Sequence, residues 1–205
     1  MTWDIKAGCM GKRKSQLKDQ PKFDSIFQNK MVLLLHVAAK DAASFLLSFF
    51  PDIPLDAETY LEQRGRMQDA LWPTVPLLPG ALKLVHHLKK HNIPIAVATS
   101  SSRRNFDLKR AHLQSLFDCF EGKVICGDHK NMKGKPAPDI FLTTAREMLN
   151  RDVGYPDVSE TDTHIHERRK GLVFEDALPG VQAGKRAGMS GMSPILQQLF
   201  HAEHL

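Results

Sequence analysis

Residues 171–189 read GLVFEDALPGVQAGKRAGM. The stretch opens on a short apolar run, Leu172, Val173 and Phe174, which suits a buried strand. Two adjacent acids follow, Glu175 and Asp176. A turn signal at Pro179 and Gly180 leads into a helical pattern with Val181, Ala183 and Ala187, stopped by Gly188. A buried strand that ends on carboxylates and turns at once into a helix belongs in a doubly wound α/β sheet, where ligands sit at the carboxyl ends of strands. Neighbouring carboxylates repel unless a cation joins them, and Mg²⁺ suits a small oxygen-lined site. A solvated acid pair at a helix start, favoured by the helix dipole, is the other reading of these two residues.

The chain has 205 residues, 42% of them hydrophobic, enough for one medium domain or a core with a small cap. No run of about 18 uninterrupted apolar residues exists, so no transmembrane helix is expected. The start, MTWDIKAGCMGKRK, lacks the layout of a signal peptide. Cys9, Cys119 and Cys126 have no zinc or redox spacing, which points to free thiols in a reducing, cytoplasmic compartment. The formal charge is +5. Its clusters at Lys12, Arg13, Lys14 and Lys18 and at Arg168, Arg169 and Lys170 are not interleaved with aromatics. They read as solvated faces, so neither nucleic acid nor membrane is expected as a partner.

Residues 1–30 are polar and poorly periodic. Met31 to Phe50 fits one or two helices, ended by Pro51 and Pro54. Residues 56–70 predict a helix capped by Asp56, with a buried stripe of Ala57, Tyr60, Leu61 and Met67. Three prolines and a glycine in Leu71 to Gly80 make a hinge. Residues 81–91 predict a helix with Leu82, Val85 and Leu88 facing in. His86, His87 and His91 lack the acidic companion of a metal motif. IPIAVA (93–98) reads as a buried strand ending in Thr99, Ser100, Ser101 and Ser102, whose hydroxyls and backbone N–H groups could hold a phosphate or cap a helix over 103–116. Val124 to Cys126 is a second strand. In Lys133-Gly134-Lys135-Pro136-Ala137-Pro138-Asp139 the proline holds Lys135 extended, which fixes where its ammonium points. A helix follows over Ile140 to Leu149. Residues 150–170 read as a polar surface loop in which His164 and His166 complete no ligand set.

Three pieces thus stand in fixed order: ATSS at 98–101, GKPAPDIF at 134–141 and VFEDALPGVQAGKRAGM at 173–189. Together they resemble the second, third and fourth motifs of the haloacid dehalogenase superfamily of phosphatases, nearest to its pseudouridine-5′-phosphatase-like branch. The resemblance spans Val37 to Met189, with a weaker echo at Trp3 to Lys12. It implies an α/β fold: a Rossmann-like three-layer core with a parallel sheet, plus a helical cap. Residues 1–72 would form the cap region, with an insertion at 13–36, and residues 73–205 the core, with an atypical tail at 190–205. It further implies a monomer that hydrolyses a small phosphorylated metabolite, a nucleotide or sugar phosphate such as pseudouridine 5′-phosphate, through Mg²⁺ and an aspartyl-phosphate. Thr99 and Ser100 would bind the phosphoryl group, Lys135 would neutralise its charge, and Glu175 and Asp176 would hold the metal.

The sequence departs from the family at three places. The first motif, Asp-x-Asp-Gly on the first core strand, supplies the nucleophile and the acid/base, and it occurs nowhere here. The first strand is therefore expected to be missing, and the chain as written inactive; a non-catalytic binding protein is the alternative. Arg13 to His36 matches no part of the cap. After Met189, where the family continues into a strand, ILQQLFHAEHL reads as a helical tail. A misread or alternatively spliced version of a longer phosphatase would explain all three.

Overall fold

The computed structural model describes residues 39–156 and 158–192. The expectations for residues 1–38 and 193–205, including the basic cluster at 12–18, the insertion at 13–36, Cys9 and the helical tail, lie outside the described residues. Those described fall into two compact units that divide after Trp72.

The first unit holds helices α1 (Ala39–Leu47) and α2 (Ala57–Leu71), which pack on each other. Asp56 caps α2 as its spacing predicts: its carboxylate accepts the backbone N–H groups of Glu58 and Thr59, both at 2.9 Å. The expected buried stripe is only partly realised. Ala57, Tyr60 and Leu61 are half-buried, but Met67 is 52% exposed.

The second unit begins with a 3₁₀ turn at the prolines. Gly80, at φ 80°, then starts α3 (Ala81–Lys90), a left-handed conformation that glycine adopts without steric cost. Val85 is buried on α3, while Leu82 and Leu88 are half-buried. Strand β1 (Val97–Ala98) follows, shorter than the predicted 93–98. The predicted helix over 103–116 is broken at Ala111 into α4 (Arg103–Arg110) and the short α5 (Gln114–Phe117). Strand β2 (Val124–Ile125) pairs parallel with β1. Then come α6 (Asp139–Leu149), α7 (Asp162–Arg169), β3 (Leu172–Phe174), α8 (Leu178–Arg186) and β4 (Ser190–Met192). Strand β4 lies parallel to β3.

Three expectations are corrected. Residues 150–170 are not a plain loop. Thr161 and His164 form a reciprocal capping box that starts α7. The Arg168 side chain is buried beneath the preceding segment, where its Nε donates to the Val153 carbonyl at 2.7 Å and its Nη1 pairs with Glu160. Ser190–Met192 is a strand, directly after Met189, where the sequence was expected to depart from the family's strand. Pro179 and Gly180 lie inside the first turn of α8, where proline's missing N–H costs nothing.

The parallel sheet occurs as two pairs, β1–β2 and β3–β4, with no ladder between them among the described residues. One apolar cluster serves both: Ile125 of β2, Ile140 and Leu142 of α6, Val173 of β3, and Ala183 and Ala187 of α8. The architecture is an α/β, Rossmann-like core.

Candidate functional site

The carboxyl ends of β1 and β3 are joined by one side chain. Lys135, in the segment between β2 and α6, places its Nζ 3.5 Å from the Ala98 carbonyl oxygen at the end of β1. The same ammonium lies 2.5 Å from Glu175 Oε2, directly after β3. The pair is withdrawn from solvent, with side-chain exposures of 7% for Lys135 and 2% for Glu175. The Phe141 ring of α6 adds a cation–π contact, its centroid 4.9 Å from the ammonium.

The two acids differ. Burial pushes the Glu175 carboxyl up, but the charge of Lys135 and its hydrogen bond outweigh that and hold it below the ordinary value. Asp176 moves the opposite way. Burial raises it first, and the hydrogen bond and negative charge of Glu175 add to the rise. Gly180 makes room for this arrangement, since a Cβ there would lie 2.1 Å from the Glu175 carboxyl carbon.

The loop after β1 supplies hydroxyls and N–H groups. Thr99 is buried, and its Oγ1 accepts the Ser101 backbone N–H at 3.1 Å. The Ser101 carbonyl accepts the Gly127 N–H at 2.8 Å, and its hydroxyl accepts a hydrogen bond from the Lys109 ammonium at 2.9 Å. Ser102 caps α4 through the Asn105 N–H. Asp128 accepts the Arg103 N–H through both oxygens, each at 3.0 Å. The loop is thus tied on three sides. Ser100, which is exposed, lines a cavity of about 70 Å³ with Gly127, Lys133, Lys135 and Ile140. That space suits a small oxyanion, since pockets for larger organic ligands run from about 300 Å³ upward. A larger crease of about 470 Å³ on α4 and α5 shares no lining residue with it.

The structure therefore brings Lys135, Glu175 and Asp176 together, and sets Ser100 beside Lys135. Thr99 follows Ala98, whose carbonyl Lys135 approaches. Sequence reasoning did not single out Lys109, Gly127 or Asp139. Gly127 could have been found as the glycine directly after a strand, whereas Asp139, four residues after Lys135, carries no local signal beyond that of a helix-starting acid. His86 and His87 of α3 and His91 directly after it are exposed, and no group of three His, Cys, Asp or Glu residues suited to a metal occurs among the described residues. Cys119 and Cys126 are free thiols. No described helix is long and apolar enough to cross a membrane.

Comparisons with known proteins identify the family. A family model described as haloacid dehalogenase-like hydrolase matches residues 27–188. A "(DL)-glycerol-3-phosphatase 2" of Arabidopsis thaliana is 42% identical over 137 residues, covering 66% of this chain and 51% of the relative. A "Probable pseudouridine-5'-phosphatase" of Saccharomyces cerevisiae is 36% identical over 139 residues, covering 66% of this chain and 54% of the relative. The chain thus spans about half the length of the curated relatives it matches. Among solved structures, a family IA hydrolase from Entamoeba histolytica is similar at 28% identity and a TM-score of 0.56, over 80% of this chain and 67% of that one. With the family model matched over most of its length, and a lysine–acid pair at the strand ends, the chain belongs to the haloacid dehalogenase-like hydrolases.

Proposed function

We propose that Thr99, Ser100, Lys135, Glu175 and Asp176 form the phosphate-anchoring and metal-holding part of a phosphomonoesterase centre for a small phosphorylated metabolite. The observation that carries this reading is the buried Lys135–Glu175 pair beside a small cavity at the strand ends. Phosphoryl transfer depends on positioning and charge neutralisation. The Thr99 hydroxyl and the N–H groups of its loop would donate to phosphoryl oxygens, and Lys135 would neutralise their charge.

The donor set fits a divalent cation in part. Two carboxylate oxygen donors suit Mg²⁺, and the raised Asp176 carboxyl is what an added positive charge would relieve. Asp176 would hold the ion, with Glu175 helping directly or through water. The ion would supply cancellation of charge between the phosphate and an attacking carboxylate. On this reading residues 1–72 are the cap region and 73–205 the core.

No Asp-x-Asp pair occurs in the 205 residues. We infer that this chain binds phosphate and Mg²⁺ without turning a phosphate ester over, because an aspartyl-phosphate cannot form without its aspartate. A non-catalytic binding role is the second reading, favoured by the same missing pair. The names of the relatives suggest glycerol 3-phosphate and pseudouridine 5′-phosphate as the first esters to try.

Calorimetry with orthophosphate and Mg²⁺, beside a phosphate-release assay on both esters, tests the proposal. Binding of both ions without release is expected. Mg²⁺-dependent release abolished by Asp176→Asn would refute inactivity, and failure to bind orthophosphate would refute the site.

A further inference from the structure

Lys135 has an awkward backbone context. On one side stands Gly134, which has open space around it and the greatest conformational freedom of any residue. On the other stands Pro136, which fixes φ and removes a donor. A side chain that must meet Glu175 in a buried position needs its main chain held from elsewhere. One tie spans the lysine, the Gly134 carbonyl accepting the Ala137 N–H at 3.0 Å, and one lies downstream, where Arg186 of α8 donates to the Pro136 carbonyl at 3.1 Å.

The upstream tie is a carboxylate. Asp139, the first residue of α6, accepts the Lys133 backbone N–H through Oδ1 at 3.0 Å. It is 6% exposed, and its second oxygen, Oδ2, is buried without a hydrogen-bond partner among the described residues. A buried carboxylate with one oxygen unsatisfied costs stability and calls for an explanation. Core packing alone does not give one, since an apolar residue would serve α6 better. The helix N-terminus offsets part of the cost. What this side chain provides, and an apolar residue would not, is an acceptor that clamps the chain two residues before Lys135. From the same helix, Phe141 supports the ammonium and Ile140 lines the cavity.

We propose that Asp139 is a positioning residue for Lys135: by holding the Lys133 N–H it fixes where the Lys135 ammonium sits between Glu175 and the cavity. It acts through Lys135 and touches no substrate. Its effect on phosphate rests on the reading under Proposed function; its effect on the ion pair does not.

The test uses the full chain with inorganic phosphate as probe. Orthophosphate affinity is measured for the unmodified chain, Asp139→Ala, Asp139→Asn, Lys135→Ala and the Asp139→Ala/Lys135→Ala pair. Asp139→Ala should weaken binding about tenfold in the unmodified background and by less than about twofold when Lys135 is already alanine, since coupled residues are non-additive. Asp139→Asn keeps an acceptor oxygen and should recover most of the affinity. Equal losses in both backgrounds, or a folded Asp139→Ala with undiminished affinity, would overturn the proposal.

A second measurement is independent of phosphate. In nitrogen-15 spectra of the lysine ammonium groups, the buried Lys135 signal should be sharp and protected in the unmodified chain and in Asp139→Asn, and broadened in Asp139→Ala. An unchanged signal in Asp139→Ala would overturn the proposal. If the unmodified chain binds no phosphate, the functional reading falls and this measurement decides the positioning role. If Asp139→Ala does not fold, Asp139→Glu replaces it in both measurements. One extra methylene displaces the carboxylate, and an undisturbed Lys135 there would overturn the proposal in the same way.

Discussion

The Lys135 ammonium lies 2.5 Å from Glu175 Oε2, and neither side chain is open to water. Breaking a buried pair by removing one partner leaves an uncompensated charge, which costs about 3–5 kcal/mol. Lys135→Met should therefore lower unfolding stability by about that amount in urea titrations. Adding Glu175→Gln to Lys135→Met should recover part of the loss. If the double variant is no more stable than Lys135→Met, the pair is not the source.

The pH dependence follows from the two acids with opposite signs. Glu175 sits below its ordinary value of 4.5, so it contributes stability above that pH, and the contribution is lost as pH falls through the lower folded value. The urea midpoint should drop in acid more steeply for the unmodified chain than for Glu175→Gln. Parallel profiles would contradict the assignment.

Asp176 sits above its ordinary value of 3.8, so its favourable contribution is present below that pH and lost as pH rises through the higher folded value. At pH 7 its ionised form is a burden. Asp176→Asn should raise the urea midpoint at pH 7 while abolishing Mg²⁺ binding in calorimetry. A lower midpoint, or retained Mg²⁺ affinity, would count against this account.

Gly127 and Gly134 make a controlled pair. A Cβ at Gly127 would lie 2.4 Å from the Ser100 carbonyl oxygen, a backbone atom that cannot swing aside. Gly127→Ala should cost about 1–3 kcal/mol and weaken orthophosphate binding, because the Thr99 loop must shift. Gly134 has open space, so Gly134→Ala should change stability by no more than about 1 kcal/mol. Thermal denaturation of both, with phosphate calorimetry, checks the contrast.

Arg168 anchors the segment before α7 through the Val153 and Tyr155 carbonyls and Glu160. Arg168→Met leaves the Val153 carbonyl without this donor and should cost about 2–3 kcal/mol. Proteolysis should then cut first within residues 150–161. An unaltered cleavage pattern would contradict the anchoring role.

The strand–acid–helix unit at Leu172 to Arg186 was legible because each signal is local: an apolar run, two acids, a proline and small residues. Lys135 was legible for the same reason, since the following proline announces a fixed backbone. Helix α7 was not, because DTHIHERR has little apolar content. Its order comes from the Thr161–His164 cap and from a buried arginine, which runs against the composition cue. Strand β4 was hidden because Ser190 and Gly191 have no strand preference of their own. Their conformation is imposed by pairing with Leu172 and Val173. Asp139 looked like an ordinary helix-starting acid, and only its distance to the Lys133 N–H gives it a further part.

Phe141 belongs to the apolar cluster and also lies under the Lys135 ammonium. One ring thus answers to two constraints at once. A change that improves its fit among Val173 and Leu142 shifts the electron-rich face on which the cation rests. Tuning the charge at the strand ends therefore means refitting the interior as well, so sequence drift at residue 141 should be tolerated only when neighbouring volumes change with it.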